Sequence, residues 1–116
     1  MPLEIKRGEF YWVNWDDGRG SEQKGKRPAL IIQNDIGNKF GATTIVASCS
    51  TRFKDIYPFQ VQVTTGESGL PEDCIVDLGQ IMTVDKSRLH KKCGKLSKEK
   101  MTEIHKAIVN SLGLES

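Results

Sequence analysis

Short apolar runs alternate with polar, glycine-bearing breaks along most of the chain, and only the last segment changes to a three-and-four spacing. From Glu9 to Trp15 the side chains alternate, with Phe10, Trp12 and Asn14 on one side and Tyr11, Val13 and Trp15 on the other. Aromatic and β-branched residues in that order predict a pleated strand. Asp16-Asp17-Gly18-Arg19-Gly20 ends it with turn residues, and a polar loop continues to Arg27. Pro28 is expected to open the next strand, Ala29 to Gln33, because proline is tolerated at a first strand position. It also biases Arg27 towards an extended backbone. The run Ala29-Leu30-Ile31-Ile32 predicts burial on both faces.

Asn34 to Ala42, with Gly37 and Gly41, reads as loop. Thr43 to Ser50 reads as a third strand whose apolar centre ends in a hydroxyl. Thr51 to Tyr57 is a polar connection carrying Arg52, Phe53 and Lys54. Phe59 to Val63 alternates as a half-exposed strand, and Thr65 to Asp73 is rich in turn residues. Cys74 to Leu78 and Gln80 to Val84 read as two strands around Gly79. Ser97 can cap a helix from Lys98, on which Met101, Ile104, Ile108 and Leu112 form one apolar stripe. Gly113 fits the position just past its end. The expected fold is therefore mainly β with helices: a small curled sheet or barrel with a C-terminal helix packed on it.

The 116 residues suit one domain, 1–116. Glu4, Lys6 and Arg7 break any early apolar run, and no stretch approaches the roughly 20 apolar residues of a membrane helix. A cytoplasmic protein is expected, with no membrane association. Cys49, Cys74 and Cys93 are too few and too widely spaced for a disulfide framework or a CxxC zinc site, so reduced thiols are expected. A net charge of +2 permits nucleic-acid binding without demanding it. The basic residues gather in two places, Lys24, Lys26 and Arg27 in one loop and Lys86, Arg88, His90, Lys91, Lys92 and Lys95 in another. By charge alone both read as solvated turns.

The common enzyme signatures are missing: there is no P-loop, GxGxxG, HExxH or GxSxG. His90 and His105 have no sequence neighbours that suggest a triad or a metal site. The loop from Gly18 to Arg27 is more suggestive. Its glycines allow close approach of a ligand, Ser21 and Gln23 can hydrogen-bond sugar, base or phosphate, and Arg27 offers a planar fork of donors suited to phosphate. An ordinary mobile hairpin loop would have the same composition.

The wider pattern is more specific. Arg7-Gly8-Glu9-Phe10-Tyr11-Trp12-Val13, then Gly20-Ser21-Glu22-Gln23 and Lys26-Arg27-Pro28-Ala29-Leu30-Ile31-Ile32-Gln33-Asn34-Asp35, resemble the MazF/PemK toxins, the RNA-cutting halves of bacterial toxin–antitoxin pairs. The similarity continues through Thr44-Ile45-Val46-Ala47, Gln80-Ile81, Thr83 to Leu89 and Ser111 to Leu114. The resemblance implies an SH3-like small barrel with a C-terminal helix, and a homodimer. It implies a cofactor-free, metal-independent endoribonuclease that cuts single-stranded RNA, leaving a 2′,3′-cyclic phosphate and a 5′-hydroxyl. It also implies an antitoxin whose acidic tail runs along the RNA groove.

Carried over residue by residue, the resemblance makes Arg27 and Ser50 catalytic and puts Gln80 in the RNA groove. Ser21 and Gln23 join Gln80 as strand contacts, Lys86 and Arg88 as backbone contacts, and Phe53 either stacks a base or tucks onto the barrel. Donors from Arg27 and Ser50 would stabilise the charge that builds on the phosphorane oxygens when the 2′-hydroxyl attacks. Two positions depart from the family pattern. Ser50 replaces the commoner threonine, keeping the hydroxyl but losing the restriction of a β-branch. Met82 stands where some relatives carry arginine. Two alternatives remain at this level: a CcdB-type toxin of the same barrel that binds gyrase and cuts nothing, and a module that binds RNA without cutting it.

Overall fold

A computed structural model describes residues 4–14, 26–51 and 55–114. Six antiparallel strands form one sheet: β1 (Glu9–Asn14), β2 (Lys26–Ile31), β3 (Thr43–Ser50), β4 (Gln60–Val63), β5 (Cys74–Asp85) and β6 (Leu89–Lys95). Their order across the sheet is β4-β5-β3-β2-β1-β6. Three helices accompany them: α1 (Asp35–Phe40), α2 (Thr65–Ser68) and α3 (Lys98–Leu112). Among the described residues, no helix is long and apolar enough to cross a membrane.

The strand alternation read from the sequence becomes two cores, one on each face of the sheet. On the α3 face, Phe10, Leu30, Ala47, Cys49, Val61, Val63, Val76 and Leu78 pack with Ile104 and Ala107 of the helix. On the far face, Tyr11, Val13, Ala29, Ile31 and Val46 pack with Ile5, Val84 and Leu89. Adjacent residues of β1 and β2 thus enter opposite cores, which explains why their apolar runs are nearly continuous.

α3 begins and ends where its signals place it. The Ser97 side chain accepts a hydrogen bond from the Lys100 amide, and Gly113 closes the helix in the left-handed region at φ 68°. Its stripe is buried unevenly. Ile104 is fully buried, Met101 and Ile108 are half-buried, and Leu112 is 53% exposed. Ala107, outside the expected stripe, is buried too, on the face that packs against β4 and β5.

Three elements differ from expectation. β2 begins at Lys26, before Pro28, and Pro28 pairs with Trp12. The β2–β3 register starts only at Ala29↔Ser48, so Pro28 lies where β2 is still an edge towards β3 and its missing N–H is tolerated. The stretch expected as loop after Gln33 contains α1. Asn34 caps it by accepting from the Gly37 amide at 2.8 Å, and the two glycines concealed it in the sequence. The two strands expected around Gly79 are one long strand, β5. It bends at a bulge, because its pairing with β3 jumps from Ser48↔Asp77 to Ala47↔Ile81. Leu78, Gly79 and Gln80 are the extra residues, and such insertions bend and twist a sheet.

The cysteines are free, and the fold brings them together on the α3 face. The Cys49 thiol is pushed well up by its hydrogen bond to Cys74 and by burial. Burial, with Cys74 nearby, pushes Cys93 up to about 11.

Candidate active site

The far face is apolar only over half its width. Following antiparallel partners, one row runs Leu89–Val13–Arg27 from β6 to β2, and another runs Ser50–Ile75–Gln62 from β3 to β4. The β2–β3 pairing ends at Ala29↔Ser48, and Arg27 and Ser50 lie two residues beyond that pair on their strands, on the same face. A two-residue step returns to the same face. Directly opposed residues of an antiparallel pair hold their Cβ atoms about 4.5–5.5 Å apart where pairing continues.

The neighbouring row is Lys92–Tyr11–Ala29–Ser48–Asp77–Gln60. Its β1 and β2 members belong to the far-face core, and its β3, β5 and β4 members are polar. Arg27 is exposed and emerges at the rim of that core, where the apolar half gives way to Ser48, Ser50, Gln60, Gln62 and Asp77. Gln60 Nε2 donates to Asp77 Oδ2 at 3.3 Å, and the Gly79 amide donates to Asp77 Oδ1 at 2.9 Å. Asp77 therefore ties β4 to the β5 bulge. Gln80 lies in that bulge and is exposed. Its neighbours Leu78 and Ile81 both pack on the α3-side core, so the bulge breaks the strand alternation around Gln80.

The remaining expected contacts separate. Lys86 and Arg88 share the 3-10 turn after β5 (Lys86–Arg88). The Arg88 guanidinium donates to the Asn14 carbonyl at 3.2 Å, and Asn14 pairs with Lys26, so Arg88 stands near Arg27 across β1. The Lys86 ammonium instead donates to the Asn38 carbonyl, and its backbone amide to Ala42. It pins α1 at the Thr43 end of β3, the end opposite Ser50. Ser21, Gln23 and Phe53 lie outside the described residues.

Sequence reasoning missed Ser48, Gln60, Gln62 and Asp77 as members of the polar half-face. Gln60 and Gln62 were visible as the polar half of an alternating strand. Asp77 was visible as a charge within the apolar run Cys74 to Leu78. Among the described residues, no three His, Cys, Asp or Glu side chains gather as metal ligands.

With this geometry in place, similarity to known proteins becomes informative. The profile of the PemK-like, MazF-like toxins of type II toxin–antitoxin systems matches residues 6–112. The Endoribonuclease MazF of Staphylococcus saprophyticus is 42% identical over 113 residues, covering 97% of this chain and 94% of that protein. A mycobacterial endoribonuclease solved in complex with its cognate antitoxin superposes with a TM-score of 0.80 at 24% identity, covering 97% of this chain and 98% of that one. A MazE–MazF structure from Deinococcus radiodurans gives 0.80 at 21%, covering 97% and 100%. The two structures establish the fold, and the profile and the staphylococcal relative establish the family: the chain belongs to the PemK-like, MazF-like toxins of type II toxin–antitoxin systems.

Proposed function

We propose that the protein is a sequence-selective endoribonuclease toxin, one domain over 1–116, that cuts single-stranded RNA without a metal or cofactor. The observation that carries this reading is the β2–β3 register, whose last pair, Ala29↔Ser48, leaves Arg27 and Ser50 two residues beyond it on one face. The name of the 42% identical relative, an endoribonuclease, supports it over the gyrase-binding alternative.

In this reading the RNA lies across the polar half-face. The 2′-hydroxyl of one nucleotide attacks the adjacent phosphorus. A new P–O2′ bond forms, the P–O5′ bond breaks, and the products are a 2′,3′-cyclic phosphate and a 5′-hydroxyl. Negative charge grows on the non-bridging oxygens during the step. Arg27 supplies a fixed cation with several N–H donors, and Ser50 a hydroxyl donor, both held by strands rather than by a loop. A guanidinium pKa above roughly 12 suits this electrostatic role better than that of a general base. Because the nucleophile belongs to the substrate, DNA has no group to attack.

Gln80 faces the strand from the β5 bulge, Arg88 contributes positive charge across β1, and Ser21, Gln23 and Phe53 complete the expected contacts. The assembly we propose is a homodimer in the cytoplasm, restrained by a cognate antitoxin. The mycobacterial and Deinococcus structures, which pair such toxins with antitoxins, support that partner. The test is incubation of the purified protein with total RNA in EDTA, with Arg27→Ala as the control. Fragments carrying 5′-hydroxyl ends, absent with the variant, are expected. Intact RNA together with inhibited gyrase supercoiling would overturn the proposal in favour of the CcdB-type alternative.

A further inference from the structure

The polar half-face ends at an aromatic feature that the cleavage chemistry leaves unused. Tyr57 and Phe59 stack with ring centroids 5.5 Å apart and planes only 3° from parallel. Pro58 between them shortens the turn that leads into β4. Tyr57 is 52% exposed, while Phe59 is half-buried. An exposed tyrosine stacked in parallel on a second ring presents one flat apolar face to solvent.

The pair is built into the sheet and does not hang from the loop. The Phe59 carbonyl accepts from the Leu78 amide at 2.9 Å. The Tyr57 amide donates to Gln60 Oε1 at 3.0 Å, and Gln60 in turn donates to Asp77. Gly79 makes the space for the ring. A Cβ at that position would meet Asp77 Oδ1 and Phe59 Cδ1, each at 3.1 Å. Such contacts are tighter than ordinary packing, so the missing side chain is what lets Phe59 lie there. The same two contacts put the ring and the Asp77 carboxylate on one side of Gly79. The ring therefore lies close to the Asp77 carboxylate, and Asp77 is directly opposite Ser48.

From β3 to β4 the face crosses two strand spacings, about 10 Å. Along the strands, Tyr57 and Phe59 lie five and three residues back from Gln62, the β4 member of the Ser50 row, so the platform stands well along the face from the Arg27–Ser50 position. A strand of RNA whose phosphate is held by Arg27 and that runs along this face would bring a base a few nucleotides away over it. Both oxygens of Asp77 are already engaged by Gln60 and Gly79, so the carboxylate holds the platform in shape. Stacking on aromatic rings is how single-stranded nucleic acids are commonly gripped, at about 1–3 kcal/mol per base.

We propose that the Tyr57–Phe59 stack is a base-stacking subsite for a nucleotide a few positions from the cleaved bond, with Tyr57 as the contacting ring and Asp77, Gln60 and Gly79 as its positioning residues. This rests on the ribonuclease reading above. It adds a specificity element to that site and assigns the polar half-face a direction, from scissile phosphate to stacked base.

The experiment uses a short oligoribonucleotide containing one mapped cut and a set of versions in which each flanking base in turn is replaced by an abasic ribose. With wild-type protein, one abasic position is expected to raise KM about tenfold or more while leaving kcat nearly intact. Tyr57→Ala should raise KM on the intact oligonucleotide by a similar factor and lose nothing further at that abasic position. Tyr57→Phe should restore the lower KM. A wild-type enzyme indifferent to every abasic position, or a Tyr57→Ala loss that adds fully to the abasic loss, would overturn the subsite while leaving the ribonuclease reading intact. Unchanged KM in Tyr57→Ala with weakened inhibition by the antitoxin would overturn it in favour of a protein contact. Failure of the wild-type protein to cut any RNA would defeat the ribonuclease reading and this subsite with it.

Discussion

The two faces of the single sheet are built from the same strands and put to opposite uses. The α3 face is covered by the helix. Phe10, Leu30, Ala47, Val76 and Leu78 pack with Ile104 and Ala107 in one core. The far face has a smaller core, which adds Val46 of β3 and Val84 of β5 to the β1, β2 and β6 residues, and it opens to polar residues towards the Ser50 end of β3 and onto β5 and β4. The rim between the two halves is where Arg27 emerges. A cation there is held by paired backbone on its β1 side, opposite Val13, yet stays exposed to a ligand. The difference suggests a division of labour: the closed face supplies stability, and the half-open face can carry residues that stability alone would not select.

Substitutions on each face can break that comparison. The largest effect is expected for Arg27→Ala. It should lower kcat/KM by about a thousandfold, in line with removal of an oxyanion-stabilising donor. Its unfolding free energy from urea titration should stay within roughly 0.5 kcal/mol of the wild type, as is typical of surface changes. A variant that both cuts and melts normally would remove Arg27 from the site. On the opposite face, Ile104→Ala should cost about 2–5 kcal/mol of unfolding free energy by opening a cavity in the closed core. Cleavage measured well below its melting temperature should persist. If cleavage falls with little change in stability, the faces are not separable in this way.

Ser50 sharpens the comparison on the open half. Ser50→Ala removes a hydroxyl that would bond an anionic oxygen, a loss of about 1.5–3 kcal/mol, or roughly ten- to a hundredfold in kcat/KM. Ser50→Thr keeps the hydroxyl and should preserve the rate. An inactive threonine variant would mean the register argument misplaces this strand end.

The smallest effect belongs to the edge of the closed face. Thr64 and Glu67 form a capping box on α2, and Glu67 reaches Lys100 of α3 at 2.9 Å. The Lys100 and Thr64 hydrogen bonds hold the Glu67 carboxyl below its ordinary 4.5. A depressed carboxyl contributes stability that is present above pH 4.5 and lost as pH falls below it. Glu67→Gln should therefore show a shallower drop in thermal midpoint between pH 5 and pH 3 than the wild type. An identical acid profile in the variant would show that the contact contributes nothing measurable.

How much of this was legible in the chain differs by element. α3 could be read to the residue, because Ser97, the apolar spacing and Gly113 are local signals acting over a few residues. β3 was equally readable, from Thr43 to Ser50. α1 was hidden because Gly37 and Gly41 argue against a helix, while the Asn34 cap and the packing of Asn38 beside Thr44 argue for one (2.7 Å between Thr44 Oγ1 and Asn38 Oδ1). β5 was read as two strands because Gly79 looks like a break. In the sheet it is the centre of a bulge that bends one strand.

The candidate site divides along the same line. Arg27 and Ser50 could be singled out by chemistry and by resemblance to a family. Their alignment could not be read, since it depends on which residue of β2 faces which residue of β3. Lys86 and Arg88 looked equivalent in the sequence, two residues apart in one basic turn. The fold sends Arg88 to Asn14 and Lys86 to the far end of β3.

By itself, then, the sequence determined the alternation that makes strands, the caps that bound the last helix, and the presence of an arginine and a hydroxyl suited to phosphate. Each of these depends on neighbours close in the chain. Tertiary structure alone decided that the sheet bends at Leu78–Gln80, that one face closes while the other stays half open, and that Arg27 and Ser50 lie just beyond the last β2–β3 pair on one face. Those outcomes depend on pairings between residues some twenty to eighty positions apart, where a one-residue slip would send every side chain to the other face.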